Sequence, residues 1–82
     1  MLTRRIDSRE KAFRPIPISY LIQTANLFDC DIYVANERIA ANMKRYDEVK
    51  NLEMRGFLTF YFKGSDESDA ENRIKKILLQ DS

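Results

Sequence analysis

The pattern of apolar residues predicts an α+β fold, an open-faced sandwich in which helices pack on one face of an antiparallel sheet. Three observations carry this reading. FLTFYFK, at Phe57–Lys63, alternates along the chain: Leu58, Phe60 and Phe62 point one way, and Phe57, Thr59 and Tyr61 the other. Ile18, Leu21, Ile22, Ala25 and Phe28 recur at helical spacing, and so do Ala70, Ile74, Ile77 and Leu78. The chain has 82 residues, room for one small domain over positions 1–82.

Each element has a local signal. LTRRID at Leu2–Asp7 is a weakly alternating edge strand. Pro17–Phe28 is the first helix, with Pro17 suited to a first turn because no amide partner is lost there. DIYVA (Asp31–Ala35) and RIAANM (Arg38–Met43) form a hairpin, with Ile32 and Val34 on one face and Ile39, Ala41 and Met43 together on another. Its turn around Asn36–Arg38 lacks the glycine that tight hairpins favour. Lys44–Glu53 carries a short helix with Val49 and Leu52 inward. Gly64 breaks the last strand, and a helix ends the fold. Ser68 and Glu71 give a capping-box pattern at its start, with Ser65 or Asp66 as earlier cap candidates. Lys75 and Lys76 towards its end suit the helix dipole. The expected order is β-α-β-β-(α)-β-α.

Composition narrows the function classes. Lysine and arginine total 14 against 13 acids, a net charge of +1, too balanced to announce nucleic acid or an anionic membrane. No apolar run approaches the ~18 residues of a membrane span. The N-terminus shows no signal-peptide pattern. A single cysteine, Cys30, fits a reducing compartment, so a cytoplasmic protein is expected. There is no histidine, which removes the commonest general base and zinc ligand. Asp29/Asp31 and the run Asp66–Glu71 lack the spacing of a calcium loop. No cofactor, no metal and no catalytic residue is expected.

Two motifs invite chemistry. RGFLTFYF (Arg55–Phe62) partly matches the RNA-recognition strand pattern at Arg55, Gly56, Phe57 and Phe62. Thr59 stands where a base-stacking aromatic belongs, and that fold needs a further strand after its second helix. Nucleic acid is therefore the weaker expectation. Tyr33, Phe57 and Tyr61 on the sheet face away from the helices still form a candidate contact patch, unless a loop or the N-terminus lies over them. Cys30 lies between two acids, which raise a thiol pKa, so a small packed residue is the simpler reading.

YLIQTANLFDCDI, its spacing to NMKR, and KGSDESDA before the final helix resemble the histidine-containing phosphocarrier protein family, HPr, of the sugar phosphotransferase system. The resemblance runs from about Arg4 to Leu79, with no gap from the first helix to NMKR and a two-residue shortening between Leu52 and Leu58. It implies the family's HPr-like open-faced β-sandwich. It does not imply the family's chemistry. The family's phosphoaccepting loop reads His-Ala-Arg-Pro; here those positions are Arg14, Pro15, Ile16 and Pro17. Arginine stays charged and offers no nucleophilic lone pair. Ile16 replaces the phosphate-stabilising arginine, and Arg45 replaces the regulatory serine, with Lys44 retained beside it.

The same resemblance places the family's docking surface on the outer first helix and the short second helix. On the second, the matching positions are Tyr46, Asp47 and Lys50, which are mostly not apolar. On the first, Ile16, Tyr20, Gln23 and Leu27 fall at i, i+4, i+7 and i+11, a mainly apolar outward stripe. A few scattered exposed hydrophobes would be unremarkable, but alignment on one stripe favours a protein contact. The expectation is an HPr-like module that is not a phosphocarrier, with a regulatory or protein-interaction role. Arg14, Lys44 and Arg45 are expected to cluster beside the stripe and meet a carboxylate or a phosphorylated partner. Alternatives are a phosphotransferase-system component phosphorylated elsewhere, at Ser19, and nucleic-acid binding by the aromatic face. A homodimer through the open sheet is also compatible with the sequence.

Overall fold

The computed structural model describes residues 1–79; the last three positions of the expected domain lie outside the described residues. The elements run β1 (Leu2–Asp7), α1 (Ile18–Ala25), β2 (Asp31–Ala35), β3 (Ala40–Asn42), α2 (Tyr46–Val49), β4 (Phe57–Lys63) and α3 (Glu67–Leu78). The four strands form one sheet in the order β1-β4-β2-β3, with every neighbouring pair antiparallel. α1 and α3 contact each other, and α3 packs on β1 and β4, while α2 packs beside α1 and β3. The predicted open-faced α+β sandwich is the observed fold.

β4 organises it. Its inward residues Leu58, Phe60 and Phe62 are fully buried, together with Ile32 and Val34 of β2 and Ile6 of β1. Leu21 and Ala25 of α1, and Ala70, Ile74 and Leu78 of α3, close over them. The alternation legible in FLTFYFK is thus the alternation of core and open face.

Several boundaries differ from the sequence expectation. α1 is shorter than 17–28: Pro17 is its N-cap, with extended backbone (φ −55°, ψ 138°), and lies just outside the first turn. The chain leaves the helix after Ala25, and Phe28 is only half-buried. β3 keeps three residues of the expected 38–43, because Asn36 builds the turn instead of glycine. Its Oδ1 accepts from the N–H groups of Arg38 (2.8 Å) and Ile39 (2.9 Å). That turn leaves Ile39 43% exposed, so it does not join buried Ala41 and Met43. The expected Lys44–Glu53 helix is one turn, Tyr46–Val49, yet Val49 and Leu52 are buried as expected. Ile77, expected in the buried stripe of α3, is half-buried.

The capping box is absent. α3 starts one residue before Ser68, and Glu71 reaches across to the Arg4 Nε at 2.8 Å. Asp66 is the N-cap residue, but its carboxylate does not bond to its own helix. It accepts the N–H groups of Asp29 (2.8 Å) and Cys30 (2.9 Å), where the chain enters β2. These bonds, that to Asp29 first, hold the Asp66 carboxyl below its ordinary 3.8. Burial, then the adjacent Asp66, pushes the Cys30 thiol up to about 11, so Cys30 is a packed thiol and not a nucleophile. Gly64 completes the junction. Its φ is 151°, and a Cβ there would lie 2.6 Å from the Cys30 Cβ, so only glycine fits.

Two outcomes follow. Phe60→Ala in the middle of β4 is expected to cost about 3–5 kcal/mol, a large share of a small domain's stability, as read by urea titration. Asp66→Asn tests the junction. Because the folded carboxyl lies below its ordinary value, its contribution is full above 3.8 and fades as pH falls through the folded value. The melting-temperature gap between Asp66→Asn and the parent is expected to be widest near about pH 7 and to narrow as the pH falls below 3.8. A gap independent of pH would contradict this role.

Candidate functional site

The segment from Phe13 to Pro17 is held against the last turn of α3. The Arg14 N–H donates to the Leu78 carbonyl at 2.7 Å, and Phe13 bridges to Leu79. Pro15 and Pro17 lack amide hydrogens, so this short run is anchored at Arg14 and by side-chain packing. Ile16 turns partly inward and packs against the core. The side chain of Arg14 stays exposed beside α3.

An open cleft of about 590 Å³ results between the loop, α1 and α3, lined by Arg14, Ile16, Pro17, Tyr20, Arg73, Lys76 and Ile77. Arg73, Lys76 and Ile77 stand at i, i+3 and i+4, on one side of α3. Among the described residues, no acid lines the cleft. Among the described residues none of its three cations makes an ion pair. Arg73 and Lys76 were not singled out from sequence as site residues. In the sequence Lys76 reads as a helix-dipole partner, and nothing local signals that the loop at Arg14 packs beside α3.

The outward stripe is only partly formed. Tyr20 is 50% exposed on α1 and Leu27 is 69% exposed, while Gln23 is also exposed. Ile16 and Leu27 lie outside the helix, so helical spacing does not set their directions. Ile16 is half-buried and leaves the stripe for the wall of the cleft. Thr24, one turn along α1 from Tyr20, is buried and donates its hydroxyl to the Tyr20 carbonyl at 2.9 Å.

Arg14, Lys44 and Arg45 do not cluster. Lys44 lies beyond the other end of α1, where its Nζ donates to the Phe28 carbonyl at 2.6 Å. The eight residues of α1 separate that point from Arg14, a span of ~12 Å. Arg45 lies 3.5 Å from both Asp47 and Glu48, so its charge is engaged within its own turn. Tyr46 begins α2 and is 61% exposed. Ser19 is exposed in the first turn of α1.

The open sheet face carries Tyr33, Phe57 and Tyr61, with Tyr33 and Tyr61 directly paired across β2 and β4. Tyr33 is 43% exposed, whereas Tyr61 is half-buried. Phe57 is covered in part. The guanidinium of Arg5 lies 4.2 Å from its ring centroid and that of Arg9 4.9 Å. Asp7 fixes Arg9 through bonds of 2.9 and 3.1 Å. The segment after β1 thus overlies one of the three rings, which removes it as an open stacking platform for a base.

Among the described residues no group of three His, Cys, Asp or Glu side chains is placed to hold a metal ion, and no helix is long and apolar enough to cross a membrane.

No protein-family model matches the chain, and no curated protein matches it. Solved structures do. HPr-C-His from Thermoanaerobacter tengcongensis superposes with a TM-score of 0.80 at 20% identity, covering 95% of this chain and 91% of that one. The phosphocarrier protein HPr from Bacillus anthracis gives 0.77 at 20% identity, covering 94% and 95%. Crh, the catabolite repression protein of Bacillus subtilis, gives 0.66 at 22% identity, covering 90% and 88%; that protein forms a domain-swapped dimer. The chain therefore has the fold of the histidine-containing phosphocarrier proteins.

Proposed function

We propose that this chain is a divergent HPr-family protein that has lost phosphohistidine transfer and acts as a regulatory or protein-interaction module related to the sugar phosphotransferase system. One observation carries the reading: the chain has the phosphocarrier fold but contains no histidine to accept a phosphoryl group. Arg14 occupies the acceptor's position in the resemblance. A guanidinium offers no nucleophilic lone pair with which to attack phosphorus. Ile16, in place of the phosphate-holding arginine, packs against the core. The HPr-like fold supports the family; the exposed Tyr20 and Leu27 support docking of a protein partner on the α1 side. Tyr46 extends that surface at α2.

Two measurements test this. Incubation with phosphoenolpyruvate and the first enzyme of the phosphotransferase system is expected to leave the protein's mass unchanged. A gain of one phosphoryl group, mapped to Ser19 or elsewhere, would overturn the non-carrier reading in favour of a component phosphorylated at a new residue. Tyr20→Ala combined with Leu27→Ala is expected to abolish partner capture from the native cell while lowering the melting temperature only slightly, since Tyr20 is half-exposed and Leu27 largely exposed. Undiminished capture would remove the α1 side as the docking surface.

A further inference from the structure

The cleft beside Arg14 has a chemistry that docking through Tyr20 and Leu27 does not use. Three cationic side chains from two distant parts of the chain, Arg14 before α1 and Arg73 and Lys76 on α3, line one concavity, and no acid lines it among the described residues. Arg4, Arg9 and Arg45, by contrast, are each within reach of a carboxylate. Bringing like charges to one cleft is unfavourable, and an anion seated between them relieves that repulsion. Two guanidinium forks suit the oxygens of a tetrahedral dianion, and an ammonium adds a point charge. The remaining wall is apolar: Ile16, Pro17, Ile77 and the half-exposed ring of Tyr20. That wall fits the body of an organic ligand rather than a bare ion.

We propose that this cleft binds a phosphate monoester, with the phosphate held by Arg14, Arg73 and Lys76 and the organic part resting on Tyr20 and Ile77. No bond is made or broken; the ligand is bound intact. The site does not depend on the interaction reading above, because it is measured without a partner and through residues of α3 that the docking surface lacks.

The test is a titration of the ¹⁵N-labelled chain with phenyl phosphate, followed by amide chemical shifts, at constant ionic strength maintained with sodium chloride. Saturable shifts are expected at Arg14, Tyr20 and the Arg73–Ile77 turn. Binding is expected to be tighter than for inorganic phosphate, which lacks the ring, and absent for phenol, which lacks the charge. Arg73 and Lys76 are both exposed, so Arg73→Gln and Lys76→Gln are expected to fold normally. Each is expected to weaken binding roughly three- to tenfold. Lys50→Gln, an exposed charge beyond α2, is expected to leave it unchanged. The proposal is overturned if sodium chloride alone reproduces the shifts, if they fall outside the cleft, or if Lys50→Gln weakens binding as much as Arg73→Gln. A parallel titration with a phosphoserine peptide separates the two sources of such a group. Tighter binding than phenyl phosphate assigns a partner's phosphorylated side chain, weaker binding assigns a free small molecule, and either supports the site.

Discussion

The pairing of β4 on both sides, with β1 and with β2, is the constraint on which the rest of the structure depends. A strand so placed has its backbone groups satisfied laterally and must direct alternate side chains to opposite faces. With Leu58, Phe60 and Phe62 on one face, that face has to be covered. α1 and α3 do so, and their contact with each other sets where the loop before α1 meets the end of α3. The cleft lined by Arg14, Arg73 and Lys76 is a consequence of that arrangement. It exists because two helices converge above one apolar strand face.

The junction at Asp66 is the second fixed point. A residue at a helix N-cap ordinarily satisfies amides of its own helix. Here the carboxylate serves the chain entering β2 instead, tying α3 to the strand next to β4. The close approach of Gly64 to Cys30 works in the same place. Local rules favoured Ser68 with Glu71 as the cap, since both residue types are right and correctly spaced. Tertiary geometry overruled them because Glu71 faces the Arg4 guanidinium on β1, and two backbone amides near Cys30 needed an acceptor.

The same contrast explains which parts of the site were legible. The absence of histidine and the exposed Tyr20 and Gln23 of α1 could be read from residue type and spacing. Ile16 could not, because helical spacing was extended past Pro17, where the backbone is no longer helical. Lys44 and Arg45 were grouped with Arg14 by charge, but α1 lies between them, and each finds an oxygen nearby. Phe57 lies on the open face, as its alternation in β4 predicts, yet Arg5 of the neighbouring β1 and Arg9 of the segment beyond lie over its ring.

Sequence by itself determined the fold class, the buried face of β4, the core stripes of the two longer helices and the absence of histidine. These follow from side-chain chemistry and from periods of two and 3.6 residues, which are local. Only the tertiary structure decided which cations share a cleft, what Asp66 bonds, and where Ile16 points. Those depend on contacts between residues distant in the chain: Arg14 with Leu78, Asp66 with Asp29 and Cys30, Arg4 with Glu71. No local period encodes such pairs, because they form only once the helices have settled on the sheet.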